Sequence, residues 1–206
     1  HRATSARGAD ELRQHIDRPT ALLPALLQNL RRKPTILPTC DTVAILAEAH
    51  QAEPRNAAPY LPRTVAAITD QLGRGDSRQR DACCGAFALL AEMLANHPPA
   101  EATPWGHVPN QSLAVLFSPL YVALAEPNAH KQEGAAAAIA AVLQRGGAAD
   151  VDASLPVLLP RLLRYLLKEA ALLLAHASGL TALTAALEAA PAGLVYADVP
   201  MVVDAI

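Results

Sequence analysis

Proline recurs along this sequence at a spacing that limits how the chain can fold, each time within an apolar segment. The five segments read "LLPALLQNL", "YLPRTVAAI", "FSPLYVALA", "LLPRLLRYL" and "DVPMVVDAI". Their prolines, Pro24, Pro62, Pro119, Pro160 and Pro200, are separated by 38, 57, 41 and 40 residues. Apolar residues stand three and six positions after each proline, on one face of a helix. Because the first turn of a helix tolerates proline, the pattern predicts that each of these prolines begins a helix.

A period near 40 residues with two helices per unit is typical of HEAT-like repeats. The predicted first helices are 4–17, 38–51, 77–96, 129–145 and 170–189, and the second helices are 19–32, 57–73, 112–126, 153–168 and 197–206. The long interval contains "NHPPAEATPWGHVPNQS", which predicts an extended loop over 97–111. We therefore predict an all-α HEAT-repeat solenoid of about five helical pairs, forming one domain over 1–206. The chain lacks an initiator Met, which favours a fragment of a longer protein.

Composition agrees with a helical fold and limits the class of partner. Apolar residues make up 52% of the chain but aromatic residues only 3%, and the apolar share is mostly Ala and Leu. The formal net charge of −2 calls for no nucleic-acid partner. Apolar runs are too short or too interrupted by charges to cross a membrane. Cys40, Cys83 and Cys84 form no disulfide pattern and are interpreted as small buried apolar residues in a reducing compartment, with Cys83 in the buried stripe of its helix and Cys84 beside it.

Motifs for catalysis or cofactor binding are absent from the sequence. "GRG" and "RGG" lack the spacing and the Lys of a phosphate-binding loop. The seven histidines are scattered without HExxH or a Cys/His cluster, and no serine stands in a nucleophile elbow. We therefore expect no enzymatic activity, no cofactor and no metal site.

The turn "GRGDSRQRDACCG" carries residues that mark the boundary between two units. Asp76 is placed to cap the helix that follows, and Arg80, four residues later, can bridge to an acidic turn of the adjacent repeat. The next unit has a weaker version, with Asn128 as the cap and Gln132 in the place of the arginine. We interpret these residues as structural parts of the repeat turn.

Three segments together resemble a known family: "DSRQRDACCGAFALLAEM", "AEPNAHKQEGAAAAIAAVL" and "LLPRLLRYLL", in that order. They are similar to the N-terminal helical domain of plant tortifolia/spiral-type microtubule-associated proteins, which are TOG-like arrays of HEAT repeats. The resemblance covers about 20–190. It implies a TOG-like paddle and a microtubule- or tubulin-binding scaffold of the cytoplasmic cytoskeleton, or of a cilium or axoneme.

TOG-type domains bind tubulin with the loops inside each repeat, which lie here at about 17–20, 52–57, 97–111, 145–152 and 190–196. The resemblance therefore points to Arg18, Arg55, Trp105, His107 and Arg145 as the tubulin-binding edge. Arginine suits an acidic protein surface, and Trp is a frequent anchor of interfaces. The first loop, "HIDRPT", lacks the aromatic residue typical of domains that bind free tubulin, which favours the microtubule lattice.

Other interpretations of the same residues stay open at this point. Arg18 and Arg55 are equally understandable as solvated loop charges, Trp105 as a residue that pins its own loop, and Arg145 as a cation at a helix C-terminus. The alternative function is a HEAT-type adaptor that binds a peptide or a protein in a groove formed by the second helices. That adaptor has no affinity for tubulin.

Overall fold

The computed structural model describes residues 19–32, 35–74, 76–96, 113–169 and 173–190, and these ranges contain helices and turns but no strand. The helices are α1 Leu23–Arg32, α2 Ile36–Ala52, α3 Pro54–Ala57, α4 Leu61–Thr69, α5 Ser77–Asn96, α6 Ala114–Ala125, α7 Ala129–Arg145, α8 Ala148–Glu169 and α9 Leu173–Ala189. Short 3-10 turns span Pro19–Ala21 and Ala58–Tyr60. The predicted helices 4–17 and 197–206 lie outside the described residues.

The helices form two layers. In the first layer α2 packs against α5, α5 against α7 and α7 against α9, so these four helices are continuous neighbours. In the second layer α1 packs against α4 and α4 against α6, but no comparably close packing joins α6 to α8. The predicted all-α repeat solenoid is confirmed, with one break in its second layer.

The first-layer helices begin and end close to where the sequence predicts. Both α5 and α7 have the predicted bounds, 77–96 and 129–145. The Asn128 side chain accepts the backbone N–H of Lys131, and Gly146 ends α7 in an extended conformation. Such caps are local signals, so they can be read from the sequence.

The prolines mark helix starts in only part of the chain. Pro24 and Pro62 are the second residues of α1 and α4, as predicted. Pro119 and Pro160 lie inside α6 and α8, so the prediction that they begin helices is wrong. An interior proline costs about 3 kcal/mol. Before each of these prolines the helix buries large apolar residues, at about 1.5–3 kcal/mol per side chain, and this gain offsets the loss. The residues are Leu116 and Phe117 in α6 and Leu155, Leu158 and Leu159 in α8.

One predicted loop is shorter than expected, and another is partly helical. The loop predicted at 145–152 reduces to Gly146 and Gly147, because α8 begins at Ala148 and already buries Val151. The loop predicted at 52–57 contains the one-turn helix α3, with Pro54 as its first residue. The predicted second helix 57–73 accordingly begins only at Leu61.

Small residues let α7 approach its neighbours closely. Gly134, Ala135, Ala136 and Ala138 of α7 are buried, and a Cβ on Gly134 would lie 3.1 Å from Leu72 Cδ2. In α9, a Cβ on Gly179 would lie 2.6 Å from Leu166 Cδ2 in α8. The larger side chains that fill the core come from the helices on either side, among them Phe87, which is 0% exposed.

A buried polar cluster interrupts the apolar core between α2 and α5. Gln79 Nε2 donates to Gln71 Oε1 at 2.6 Å, and the Thr39 hydroxyl lies 3.1 Å from that same oxygen. Gln71 Nε2 donates to the carbonyl of Ala67 at 3.1 Å. The three polar side chains are almost fully buried, so their hydrogen bonds to one another replace those they would make with water.

Candidate functional site

The turns between repeats meet at one edge, which we call the turn edge and define by residues 70–76 and 126–131. Asp76 Oδ1 accepts the backbone N–H of Arg78 at 3.0 Å, and Asn128 Oδ1 accepts that of Lys131 at 3.1 Å. Asn128 Nδ2 also reaches the carbonyl of Gly73 at 3.4 Å. The capping residues therefore hold their own helices, and Asn128 joins its turn to the preceding one.

Arg80 and Gln132 occupy equivalent positions in successive repeats. Arg80 Nη1 donates to the carbonyl of Arg74 at 3.3 Å, and Gln132 Nε2 donates to the carbonyl of Glu126 at 2.9 Å. In both cases the acceptor lies six residues before the donor. Arg80 Nη2 also lies 3.4 Å from Glu133 Oε2. Its acidic partner is thus the fifth residue of α7, whereas the sequence predicted a partner in the adjacent turn.

Two cations at or beside the turn edge, Lys131 and Arg80, contact carboxylates of the same chain. Lys131 Nζ lies 2.7 Å from Glu126 Oε1 and 3.9 Å from Asp70 Oδ1. The side chains of Arg80 and Lys131 are only 14% and 12% exposed. These two cations are therefore committed to internal contacts and offer little to an external anion.

The turns inside repeats lie at the opposite ends of the first-layer helices, and we call this the loop edge. Its described parts are 19–21, 53–60, the end of α5 at 95–96, and 145–147. Thr20 Oγ1 donates to Glu53 Oε2 at 3.2 Å, which joins the first two of these turns. A Cβ on Gly147 would lie 3.3 Å from the Ala95 Cβ, which brings the third and fourth together. The described turns and helix ends of neighbouring repeats therefore meet in pairs along this edge.

The structure places two of the predicted edge residues on this surface. Arg55 is exposed on α3, and Arg145 is the exposed last residue of α7. Arg18, Trp105 and His107 lie outside the described residues. Arg18 precedes by one residue the 3-10 turn whose Thr20 contacts Glu53, next to the helix that carries Arg55.

A cleft opens between α6 and α8, where the second layer is broken. It has a volume of about 250 Å³, and all its lining residues come from these two helices: Ala114, Phe117, Ser118, Tyr121, Ala153, Ser154, Val157 and Arg161. The Arg161 guanidinium lies 5.1 Å from the centre of the Tyr121 ring. Burial raises the pKa of the Tyr121 hydroxyl, and the positive charge of Arg161 acts against that rise. Tyr121 is therefore neutral at physiological pH.

Sequence analysis missed this cleft. The cleft is lined by residues of two helices that bury their main apolar faces against other parts of the core. In the sequence, the lining residues therefore resemble ordinary core or surface residues. The sequence does contain apolar residues outside the buried face of each helix. Two of them, Val122 and Val157, are 63% and 46% exposed in the structure. That signal marks a surface only once the two helices are known to be neighbours.

The cysteines differ in accessibility. Cys83 is buried, as predicted, whereas Cys84 is only half-buried and the prediction that Cys40 is buried is wrong, because Cys40 lies on the exposed face near the start of α2. Burial raises the pKa of the Cys83 thiol to about 12, with a further rise from Cys84 beside it. Burial, followed by the negative charge of Asp81, raises the pKa of Cys84 to about 11. Both thiols therefore stay protonated and unreactive at pH near 8.

Alkylation of the native chain with iodoacetamide near pH 8 is expected to modify Cys40 first and to leave Cys83 and Cys84 intact. Cys40 also has a raised pKa, through partial burial and Asp41, but its exposure lets the reagent reach it. In denaturant all three thiols should react, because the burial is lost. Mass spectrometry of peptides from a time course measures the order. Fast labelling of Cys83 in the native chain would contradict its placement in the core.

Among the residues that the structure describes, no group of three or more His, Cys, Asp and Glu residues is arranged to hold a metal ion. Of the helices in the same ranges, none combines the length and the apolar character needed to span a membrane.

The layered helical pairs define the class of this protein as an all-α repeat solenoid. The chain belongs to the TORTIFOLIA1 N-terminal family, whose model matches residues 1–206, and the resemblance seen in the sequence is thereby confirmed. Membership in this family suggests a microtubule-associated protein of the cytoskeleton. No curated protein and no solved structure matches the chain.

Proposed function

We propose that this domain is a non-enzymatic, TOG-like HEAT module that binds the microtubule lattice through its loop edge. The observation that carries the proposal is the pairwise meeting of described turns and helix ends from neighbouring repeats, with Arg55 and Arg145 exposed at this edge. Separate turns thereby form a surface on which arginines from different repeats can contact one acidic partner. Arginine binds carboxylates with two parallel hydrogen bonds, which favours an acidic protein surface.

The contrast between the two edges supports this choice. On the turn edge Arg80 and Lys131 contact carboxylates of the same chain. At the loop edge, Arg145 stands at the C-terminal end of α7 beside Gly146 and Gly147, which add no side chains around it. A guanidinium in that position is accessible to a partner. In the free protein, the helix dipole also stabilises the positive charge of Arg145 at this helix end.

The test is co-sedimentation with taxol-stabilised microtubules of a variant carrying Arg18→Glu, Arg55→Glu and Arg145→Glu. Reversing three charges against an acidic surface is expected to weaken binding by at least about tenfold at low salt. Binding by the unmodified domain is expected to weaken as salt rises, because ions screen exposed charges. Size exclusion with free tubulin measures the predicted preference for the lattice.

A matched control carries Arg31→Glu, Arg74→Glu and Arg78→Glu. These arginines are exposed at the end of α1, in the turn after α4 and at the start of α5, away from the loop edge, and the net charge changes by the same amount. The control is expected to pellet nearly as the unmodified domain does. Equal loss in both variants, or no loss in the loop-edge variant, would rule out the proposed edge.

An adaptor that binds a peptide or protein without affinity for tubulin is the second candidate function. The open cleft between α6 and α8 favours it, because this cleft is formed by second helices. Pelleting separates the two candidates, since an adaptor of this kind stays in the supernatant. Within the first candidate we propose the cytoplasmic cytoskeleton as the location, and no observation on the structure favours a cilium or an axoneme.

A further inference from the structure

We propose that the cleft between α6 and α8 is a docking site for an acidic peptide segment of a partner protein, with one large apolar side chain as its anchor. This site is separate from the loop edge and does not depend on microtubule binding. Three properties of the cleft carry the proposal: its position, its lining and the charge at its mouth.

The position follows from the break in the second layer. Where α1, α4 and α6 pack side by side, each covers the apolar flank of the next. Between α6 and α8 no described helix provides that cover, and a space remains between them. Val157 lines this space and is 46% exposed, although the Leu, Ile and Val residues of the described ranges mostly fill the core.

The lining fits a side chain better than a small molecule. The volume of about 250 Å³ lies below the roughly 300–1,000 Å³ of typical small-molecule sites. Phe117 and Tyr121 form one wall, with ring centroids 6.4 Å apart, and Val157 forms the other. An aromatic or leucine side chain of a peptide would bury apolar surface against these residues, as anchors do at protein interfaces.

The charge at the mouth selects an acidic peptide. Val157, Arg161 and Arg164 are spaced four and three residues apart, so they share one face of α8, and all three are exposed. Neither arginine forms an ion pair with another described residue, and no carboxylate lines the cleft. The cation–π contact with Tyr121 holds the Arg161 guanidinium, which is exposed, at the cleft. A carboxylate next to the apolar anchor would accept hydrogen bonds from this guanidinium.

The experiment measures binding of a fluorescent peptide of glutamates with one central phenylalanine by anisotropy. Arg161→Glu is expected to weaken its binding by about tenfold or more, the loss of one charge-assisted contact. Arg161→Lys, which keeps the charge but loses the paired donors, is expected to give an intermediate loss. The same peptide with glycine in place of phenylalanine is expected to bind much more weakly, because it lacks the anchor.

Arg63→Glu is the matched control, because Arg63 is exposed on α4 in the same layer but outside the cleft. This control is expected to bind the peptide as the unmodified chain does, and circular dichroism checks the fold of every variant. Equal weakening by Arg63→Glu, or equal binding of the glycine peptide, would overturn the proposal in favour of unspecific charge attraction. The loop-edge variant is expected to bind the peptide normally, so the two proposals fail separately.

Two other occupants give distinct results. A dimer that forms with rising concentration and is lost in Arg161→Glu, seen by analytical ultracentrifugation, would assign the cleft to a second copy of the chain. Peptide binding that emerges only after Trp105→Ala would assign it to the chain's own segment 97–111. Either result would overturn the proposal of a partner peptide.

Discussion

Replacing Phe87 by alanine is expected to lower the free energy of unfolding by about 3–5 kcal/mol. Phe87 lies in the middle of α5, is 0% exposed and is among the largest fully buried side chains. Since α5 packs against both α2 and α7, a cavity there weakens the contact between successive repeats on both sides. The close packing of neighbouring helices leaves little freedom for the cavity to collapse.

Urea unfolding followed by far-UV circular dichroism measures this loss. Leu89→Ala in the same helix is the control, because Leu89 is 52% exposed and its truncation is expected to change stability by no more than about 0.5 kcal/mol. A Phe87→Ala variant as stable as Leu89→Ala would show that α5 does not hold the core as described. Unfolding in two separated steps would show that the repeats on either side of α5 had become independent.

Gly179→Val is expected to destabilise the domain by roughly 1–3 kcal/mol through overpacking. A Cβ at this position would already lie 2.6 Å from Leu166 Cδ2 and 3.0 Å from Tyr165 Cε1, before the two methyl groups of valine are added. Leu166 is 0% exposed and has no free space to move into. The helices α8 and α9 must therefore separate, which weakens the packing at that end of the described array.

The control is Gly85→Val in α5, where an added Cβ meets no atom within 4 Å. Both glycines are in helix interiors, so both variants gain a similar, small amount of helix propensity. The difference between their melting temperatures therefore isolates the steric contact between α8 and α9. Equal melting temperatures for the two variants are incompatible with the close approach at Gly179.

The parts of the fold that depend on local chemistry could be predicted from the sequence. The cap at Asn128 and the glycine at 146 determine the bounds of α7 because they act on adjacent backbone groups. Pro119 misled the prediction because tertiary packing decided where its helix begins. Burial of Leu116 and Phe117 outweighs the hydrogen bond that the proline removes.

The candidate functional sites also differ in how far the sequence could predict them. The sequence could place Arg145 at a helix end, and the structure locates that end beside the C-terminal end of α5. The cleft between α6 and α8 could not be predicted, because it depends on the distance between two helices that are separated by a whole first-layer helix. Tyr121 and Arg161 are in contact only because α6 and α8 lie close enough for these two side chains to meet.

The buried amides between α2 and α5 have a consequence for how the helices align along their axes. An interface made only of Ala and Leu stays nearly as well packed when one helix slides past the other by a turn. In this interface such a slide would pull Thr39 of α2 away from Gln71 and Gln79 and break two buried hydrogen bonds, each worth about 0.5–1.5 kcal/mol. The cluster therefore fixes a single register between the two repeats, which apolar packing alone would leave ambiguous.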